Sequence, residues 1–170
     1  MSKKIAMIIA SKNFRDEEYK EPRKALELSG ISVTLYSTSL QPSRGMFDSE
    51  AKPDKLIDNM NPHEYDGIVF IGGSGASEYY ENATAHKLVK EFYENNKLVA
   101  AICIAPKILA KAGILKGKKV CSFPSVKDDI RKLGGDIQPD GVWVDGNIIT
   151  ATGPEFALDF GNALVKYLKV

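Results

Sequence analysis

The sequence contains few of the residues that bind metals or form disulfides. It has two cysteines, two histidines and one tryptophan among 170 residues. Two cysteines do not form a disulfide framework, and no Cys-x-x-Cys or histidine-rich metal pattern occurs. We therefore expect reduced thiols, no metal ion and no bound cofactor.

Long apolar runs and an excess of one charge are also missing. The formal net charge of +1 gives no electrostatic reason to expect nucleic acid or an anionic membrane as a partner. The first apolar run, residues 5–10, is too short for a signal peptide or a membrane span. The length of 170 residues predicts one domain, residues 1–170, and the short apolar runs together with reduced thiols favour a cytoplasmic location.

Short apolar segments alternate with amphipathic ones along the chain. Strands are predicted at residues 4–10, 32–38, 66–71, 97–102 and 119–122, and in a hairpin of residues 142–144 and 148–150. Helices are predicted at residues 17–29, 83–95, 105–111, 126–133 and 154–168, and residues 40–53 as a loop or small hairpin. Apolar strands without polar alternation indicate a sheet covered on both faces. The pattern predicts an α/β fold, a doubly wound, mostly parallel sheet with helices on both faces.

One cysteine lies where a predicted strand meets a predicted helix. Cys103 follows the apolar run 97–102, and Pro106 opens the next helix. A residue at such a sharp turn is typical of a nucleophile, and the small Ala101 and Ala105 allow the turn to close. The helix N-terminus is expected to lower the pKa of the thiol. A buried structural cysteine is the alternative, and we expect Cys121, in a short strand, to be one.

Two adjacent acids begin the first predicted helix. Helical spacing puts Glu18 on the face of Pro22 and Leu26, whereas Glu17 shares a charged face with Lys24. Glu18 is therefore expected to point inward, where burial raises its pKa and lets it act as a general acid or base. Stabilisation of the helix N-terminus by both acids is the alternative.

A glycine-rich segment follows the strand at 66–71. The amides of Gly72 and Gly73 can approach a ligand closely and form an oxyanion hole, although a tight turn is the alternative. The spacing fits neither a dinucleotide motif nor a phosphate loop. Of the two histidines, His63 is expected at the opposite end of the sheet and His86 in an exposed position, so neither is placed to act as a base for the cysteine.

Together these motifs resemble the ThiJ/PfpI superfamily, whose fold is of the class I glutamine-amidotransferase type. The resemblance rests on residues 13–18 with Pro22, 70–73, 100–106, 112–118, 125–129 and 144–147 with Thr150. It implies a flavodoxin-like fold and a homodimer or higher homo-oligomer. It also implies that Cys103 is the nucleophile, Glu18 its acidic partner, and the amides of Gly73 and Ile104 the oxyanion hole.

The chain departs from the family at the residue after the cysteine. Members named as peptidases have histidine there, whereas this chain has Ile104, which cannot accept a proton. A second branch, that of the parkinsonism-associated proteins, has an apolar residue there and a histidine later in the chain. That histidine would align near Phe123, so this chain lacks it. The chain is closer to this second branch, which is associated with oxidative stress and with glyoxalase or deglycase activity.

Three functions remain open on these grounds. The first is a cysteine-dependent enzyme that acts on small reactive carbonyls through Cys103 and Glu18. The second is a redox sensor or protective protein whose Cys103 is oxidised by a small-molecule oxidant to sulfenic or sulfinic acid. The third and weakest is an intracellular cysteine peptidase.

Overall fold

The computed structural model describes residues 2–169 and contains a central sheet between two layers of helices. Its strands are β1 (Lys4–Ile8), β2 (Ser32–Ser37), β3 (Ser43–Arg44), β4 (Glu50–Ala51), β5 (Lys55–Leu56), β6 (Gly67–Phe70), β7 (Leu98–Ile102), β8 (Lys119–Val120), β9 (Asp136–Ile137), β10 (Val142–Asp145) and β11 (Ile148–Ala151). Its helices are α1 (Asp16–Leu28), α2 (Ala83–Glu94), α3 (Pro106–Lys111), α4 (Lys127–Lys132) and α5 (Ala157–Lys169). Short 3₁₀ turns cover Ile57–Asn59, Pro62–Glu64, Ser74–Tyr79, Pro124–Val126 and Pro154–Phe156. No helix within residues 2–169 is long and apolar enough to cross a membrane.

The main sheet has seven strands in the order β10-β11-β7-β6-β1-β2-β5. All neighbours are parallel except β10, which pairs with β11 as an antiparallel edge hairpin. The five central parallel strands follow the flavodoxin-like order, in which the chain reverses its winding direction between β1 and β6. The predicted α/β, doubly wound, mostly parallel sheet is therefore confirmed.

Alternate residues of each central strand enter two separate cores. In β1, Ile5 and Met7 pack on the face that α1 and α5 cover, whereas Ala6 and Ile8 pack on the face of α2, α3 and α4. This arrangement explains why the strand is apolar throughout, since both of its faces are buried. The prediction of helices on both faces of the sheet is confirmed.

The predicted elements differ from the structure mainly at their ends. The hairpin within residues 40–53 exists as β3 and β4. The segment predicted as a strand at 119–122 is shorter and lies outside the main sheet, where β8 pairs with β9. The reason is that the chain leaves β8 toward the cysteine turn, where the Phe123 amide donates to the Cys103 carbonyl at 2.8 Å.

Close packing of α1 against α5 depends on a glycine. A Cβ at Gly161 would lie 2.8 Å from Pro22 Cα and 3.1 Å from Ala25 Cβ. We expect Gly161→Ala to lower the free energy of unfolding by about 1–3 kcal/mol, because overpacking outweighs the higher helix propensity of alanine. Urea denaturation measures this, with the exposed Asn162→Ala as a control. Equal stability of the two variants would contradict the prediction.

Candidate active site

Three loops converge at the carboxyl ends of the central strands. They follow β1, β6 and β7, and the first two lie on either side of the point where the winding reverses. The Arg15 amide donates to the Gly72 carbonyl at 2.9 Å, and the Gly75 amide donates to the Asn13 carbonyl at 3.0 Å. These hydrogen bonds join the loops after β1 and β6, and Gly72 packs closely against Cys103 in the third loop.

Cys103 occupies the sharp turn between β7 and α3. Its φ is +67°, in the left-handed region, which costs a non-glycine residue about 1–2 kcal/mol. Two hydrogen bonds hold this conformation, from its amide to the Ala151 carbonyl at 3.0 Å and from the Phe123 amide to its carbonyl at 2.8 Å. The residue is 7% exposed, so its side chain is almost wholly buried.

Glu18 is fully buried in the first turn of α1, as its helical phase predicts. Burial raises the pKa of its carboxyl to about 8, so that it is protonated at neutral pH. Within residues 2–169, neither carboxyl oxygen has a well-formed hydrogen bond. The Cys103 thiol and the Gly72 amide both lower the pKa of the carboxyl, but burial outweighs them. An unpaired, protonated carboxyl beside a thiol is suited to proton transfer.

Glycine is required at positions 72 and 73 by this close packing. A Cβ at Gly72 would overlap Glu18 Oε1 and would lie 2.6 Å from Cys103 Cβ. Gly73 has φ +99°, and its Cβ would lie 2.6 Å from the Asn13 carbonyl oxygen. The amides of Gly73 and Ile104 lie near the Cys103 sulfur and lower the pKa of its thiol. These two amides are the ones that the family resemblance implies as an oxyanion hole, and their catalytic role stays a prediction.

The expectation of a lowered thiol pKa is wrong. Burial raises the pKa of Cys103 to about 12, and negative charge on Glu18 adds to the effect. The amides of Gly73 and Ile104 lower the pKa but are outweighed, and α3 is only six residues long. Because the two acids interact directly, they titrate as a pair. At neutral pH the pair retains both protons, and its first proton leaves near pH 8.

A small cavity opens over the sulfur. Its volume is about 360 Å³, and its walls are formed by Arg15, Met46, Gly73, Ser74, Tyr80, Cys103, Ile104, Phe123, Ser125 and Pro154. Sequence reasoning missed most of these walls, because they belong to loops whose tertiary positions leave no periodic signal. A larger cavity of about 640 Å³ lies at the opposite end of the sheet, beside Leu98 and Lys166, and no cysteine lines it within residues 2–169.

Glu17 is not simply exposed to solvent, because it forms an ion pair with Arg15. Its carboxylate accepts hydrogen bonds from Arg15 Nε at 3.2 Å and Nη2 at 2.9 Å, and the Arg15 guanidinium lies 4.6 Å from the centre of the Phe47 ring. The hydrogen bond from Arg15 lowers the pKa of Glu17. Glu17 therefore fixes a cation at the wall of the cavity, while Glu18 alone faces the sulfur.

The remaining titratable candidates do not reach Cys103. His63 is exposed at the opposite end of the sheet, as predicted. His86 is half-buried rather than exposed, because its Nε2 lies 2.8 Å from the Tyr80 carbonyl oxygen. Cys121 is buried, and its thiol donates to the Gly141 carbonyl at 3.3 Å. Across residues 2–169, no group of three or more His, Cys, Asp or Glu side chains is arranged to hold a metal ion.

Comparison with known proteins identifies relatives over the whole chain. A protein of Methanocaldococcus jannaschii that is named as uncharacterized is 43% identical over 169 residues, which are 98% of this chain and 82% of that protein. A protein named deglycase from Pyrococcus horikoshii is 31% identical over 163 residues, 96% of this chain and 98% of that protein. A Bacillus subtilis protein with a provisional cysteine protease name is 31% identical over 170 residues, 99% of this chain and 100% of that protein.

Comparisons of the structure and of the family model give the same result as these sequence matches. The crystal structure of a ThiJ/PfpI domain protein from Brachyspira murdochii superposes with a TM-score of 0.96 at 32% identity, over 99% of this chain and 97% of that one. The model of the DJ-1/PfpI family matches residues 3–167. The chain therefore belongs to the DJ-1/PfpI family, as its resemblance to the ThiJ/PfpI superfamily predicted.

Proposed function

We propose that the protein is a cysteine-dependent enzyme that acts on small reactive carbonyl compounds, of the glyoxalase or deglycase type. One observation carries the proposal: a protonated Glu18 lies against the Cys103 thiol, beside two amides and under a small cavity. Relatives named deglycase belong to the same family and support it. The oligomer that the family resemblance implies stays a prediction.

The geometry suits addition of a thiol to an aldehyde. Within residues 2–169 neither carboxyl oxygen of Glu18 has a well-formed hydrogen bond, so one can accept the thiol proton while the other donates to the carbonyl oxygen. The Cys103 sulfur then bonds to the aldehyde carbon, and the product is a thiohemiacetal. The amides of Gly73 and Ile104 stabilise negative charge that develops on the oxygen.

With a 2-oxoaldehyde as substrate, the reaction needs no external oxidant. Glu18 carries the hydrogen of the former aldehyde carbon to the neighbouring carbonyl carbon as a proton. The hydroxyl proton on the former aldehyde carbon passes to the neighbouring oxygen, and a thioester of a 2-hydroxy acid results. Water hydrolyses the thioester and regenerates the thiol. One dicarbonyl and one water thus give one 2-hydroxy acid, the aldehyde carbon being oxidised and its neighbour reduced.

A redox sensor is the second candidate, and the position of Cys103 in the wall of the cavity favours it. Oxidation by peroxide proceeds through the thiolate. Since burial raises the thiol pKa to about 12, little thiolate exists at neutral pH without a proton acceptor. In aldehyde addition the protonated Glu18 accepts the thiol proton as it donates its own to the carbonyl oxygen, so no free thiolate is needed, and we therefore prefer the enzyme.

Peptidase activity fits the site least well. Amide hydrolysis needs an acid that protonates the departing amine as well as a base for the thiol. Ile104 supplies neither, and His86 is engaged with the Tyr80 carbonyl. A single carboxyl would have to perform both tasks, whereas aldehyde addition has no amine to protonate.

Consumption of methylglyoxal and formation of lactate test the proposal. We expect turnover by the native protein, none by Cys103→Ser, and near-native turnover by Cys121→Ser. Mass spectrometry after graded peroxide tests the alternative in the same preparations. No Cys103-dependent consumption, together with stoichiometric oxidation of Cys103 at low peroxide, would replace the enzyme by the sensor. If the native protein cleaved unfolded protein as fast as the Ile104→His variant does, the peptidase hypothesis would be supported instead.

A further inference from the structure

The cavity over Cys103 has an uneven distribution of charge. Of its lining residues within the described chain, Arg15 is the ionised one, and the others are apolar, aromatic, hydroxyl-bearing or backbone. Glu18 is neutral up to about pH 8, so no carboxylate opposes an anion beside the sulfur at neutral pH. A ligand in this cavity therefore meets one positive group.

Arg15 is held rigidly in place. Its amide is bound to the Gly72 carbonyl, its Nε and Nη2 donate to Glu17, and its guanidinium stacks on the Phe47 ring. Glu17 engages two of the five N–H donors of a guanidinium, and three remain. The pKa of Arg15 is raised, chiefly by the hydrogen bond with Glu17, so Arg15 stays positively charged. A fixed, planar donor is the arrangement that recognises carboxylates.

The charge balance also indicates which anion fits. Glu17 already neutralises Arg15 in part, and its own carboxylate lies outside the walls of the cavity. A second cation, which a phosphate dianion would require, does not line the cavity within residues 2–169. A singly charged carboxylate matches the remaining donors without leaving a surplus of negative charge.

We infer that the substrate is a carbonyl compound that carries a carboxylate, and that Arg15 binds this group while Cys103 attacks the aldehyde. The inference rests on the proposed function and specifies its substrate class as a 2-oxoaldehyde with an acidic tail. The chemistry at the sulfur is the addition described above, and the carboxylate takes no part in bond formation. Arg15 is thus a specificity-determining residue, and Glu17 positions it.

Matched substrates separate recognition from chemistry. 4,5-Dioxopentanoate has the acidic tail, and 2-oxopentanal has a neutral one. We expect Arg15→Gln to lower kcat/KM about 10- to 100-fold for the acid, mainly through KM, since that is what hydrogen bonds to a charged group contribute. For the neutral aldehyde the same variant should lower kcat/KM by a clearly smaller factor, so that the ratio of kcat/KM between the two substrates falls, and Arg15→Lys should recover part of that ratio. Arg23→Gln is the control, because Arg23 lies on the same helix in a pair with Glu27, away from the cavity.

Binding without turnover provides an independent readout. Levulinate (4-oxopentanoate) has the tail but no aldehyde, and calorimetry should detect weaker binding to Arg15→Gln than to the native protein. Equal effects of Arg15→Gln on both aldehydes, or tighter binding of dihydroxyacetone phosphate than of levulinate, would overturn the inference and leave the proposed function intact. Arg15-dependent levulinate binding without turnover of either aldehyde would support the carboxylate site while the proposed function fails. Neither binding nor turnover would overturn both.

Discussion

The free energy of unfolding should fall by about 5 kcal/mol between pH 4.5 and pH 8 because of Glu18 alone. Its pKa is about 8 in the folded protein against 4.5 in the unfolded chain, and each unit of difference corresponds to about 1.4 kcal/mol. Below pH 4.5 the carboxyl is protonated in both states, and stability is unaffected. Between pH 4.5 and 8 the unfolded chain releases the proton while the folded protein retains it, so stability falls as pH rises.

Glu18→Gln isolates this contribution. Glutamine keeps the shape of the protonated carboxyl and does not ionise, so the variant should lack the decline in this pH range. Urea denaturation at pH 5, 6.5 and 8 gives the two curves, and their difference cancels the other titrating groups. Glu21→Gln, an exposed change on the same helix, should follow the native curve. Parallel curves for the native protein and Glu18→Gln would mean that Glu18 ionises normally.

The sequence was sufficient for the features that depend on local order along the chain. The turn at Cys103 follows from an apolar strand, small neighbours and a proline that begins a helix. The inward orientation of Glu18 follows from the spacing to Pro22 and Leu26. Glycines beside the sulfur were expected for close approach, and the structure adds the reason, since a Cβ at Gly72 would overlap Glu18.

The electrostatics of the site could not be obtained in the same way. The raised pKa of Cys103 depends on burial by β11 and by the segment at Phe123, which are distant in sequence. The pairing of Arg15 with Glu17 looks like an ordinary surface contact until the cavity beside it is known. Local patterns identify the reacting groups. Tertiary packing determines the charge of these groups and the shape of the cavity that a substrate would fill.

Glu18→Gln should also change two properties of Cys103 in opposite directions. Turnover of methylglyoxal should fall about 100- to 10,000-fold, because an amide can neither accept the thiol proton nor return it. Alkylation of Cys103 by iodoacetamide at pH 9.5 should become faster. At that pH the native Glu18 is ionised, and its charge raises the pKa of the thiol, whereas glutamine carries no charge.

The pH dependence of alkylation provides the decisive comparison. Below about pH 8 the native carboxyl is neutral, so the difference in rate should diminish there. Peptide mass spectrometry separates Cys103 from Cys121, whose alkylation should be the same in both proteins. Glu21→Gln should alter neither turnover nor alkylation. A decrease in both rates at pH 9.5 would mean that Glu18 stabilises the thiolate at this pH instead of opposing it, and that the pair shares its remaining proton in favour of a charged sulfur.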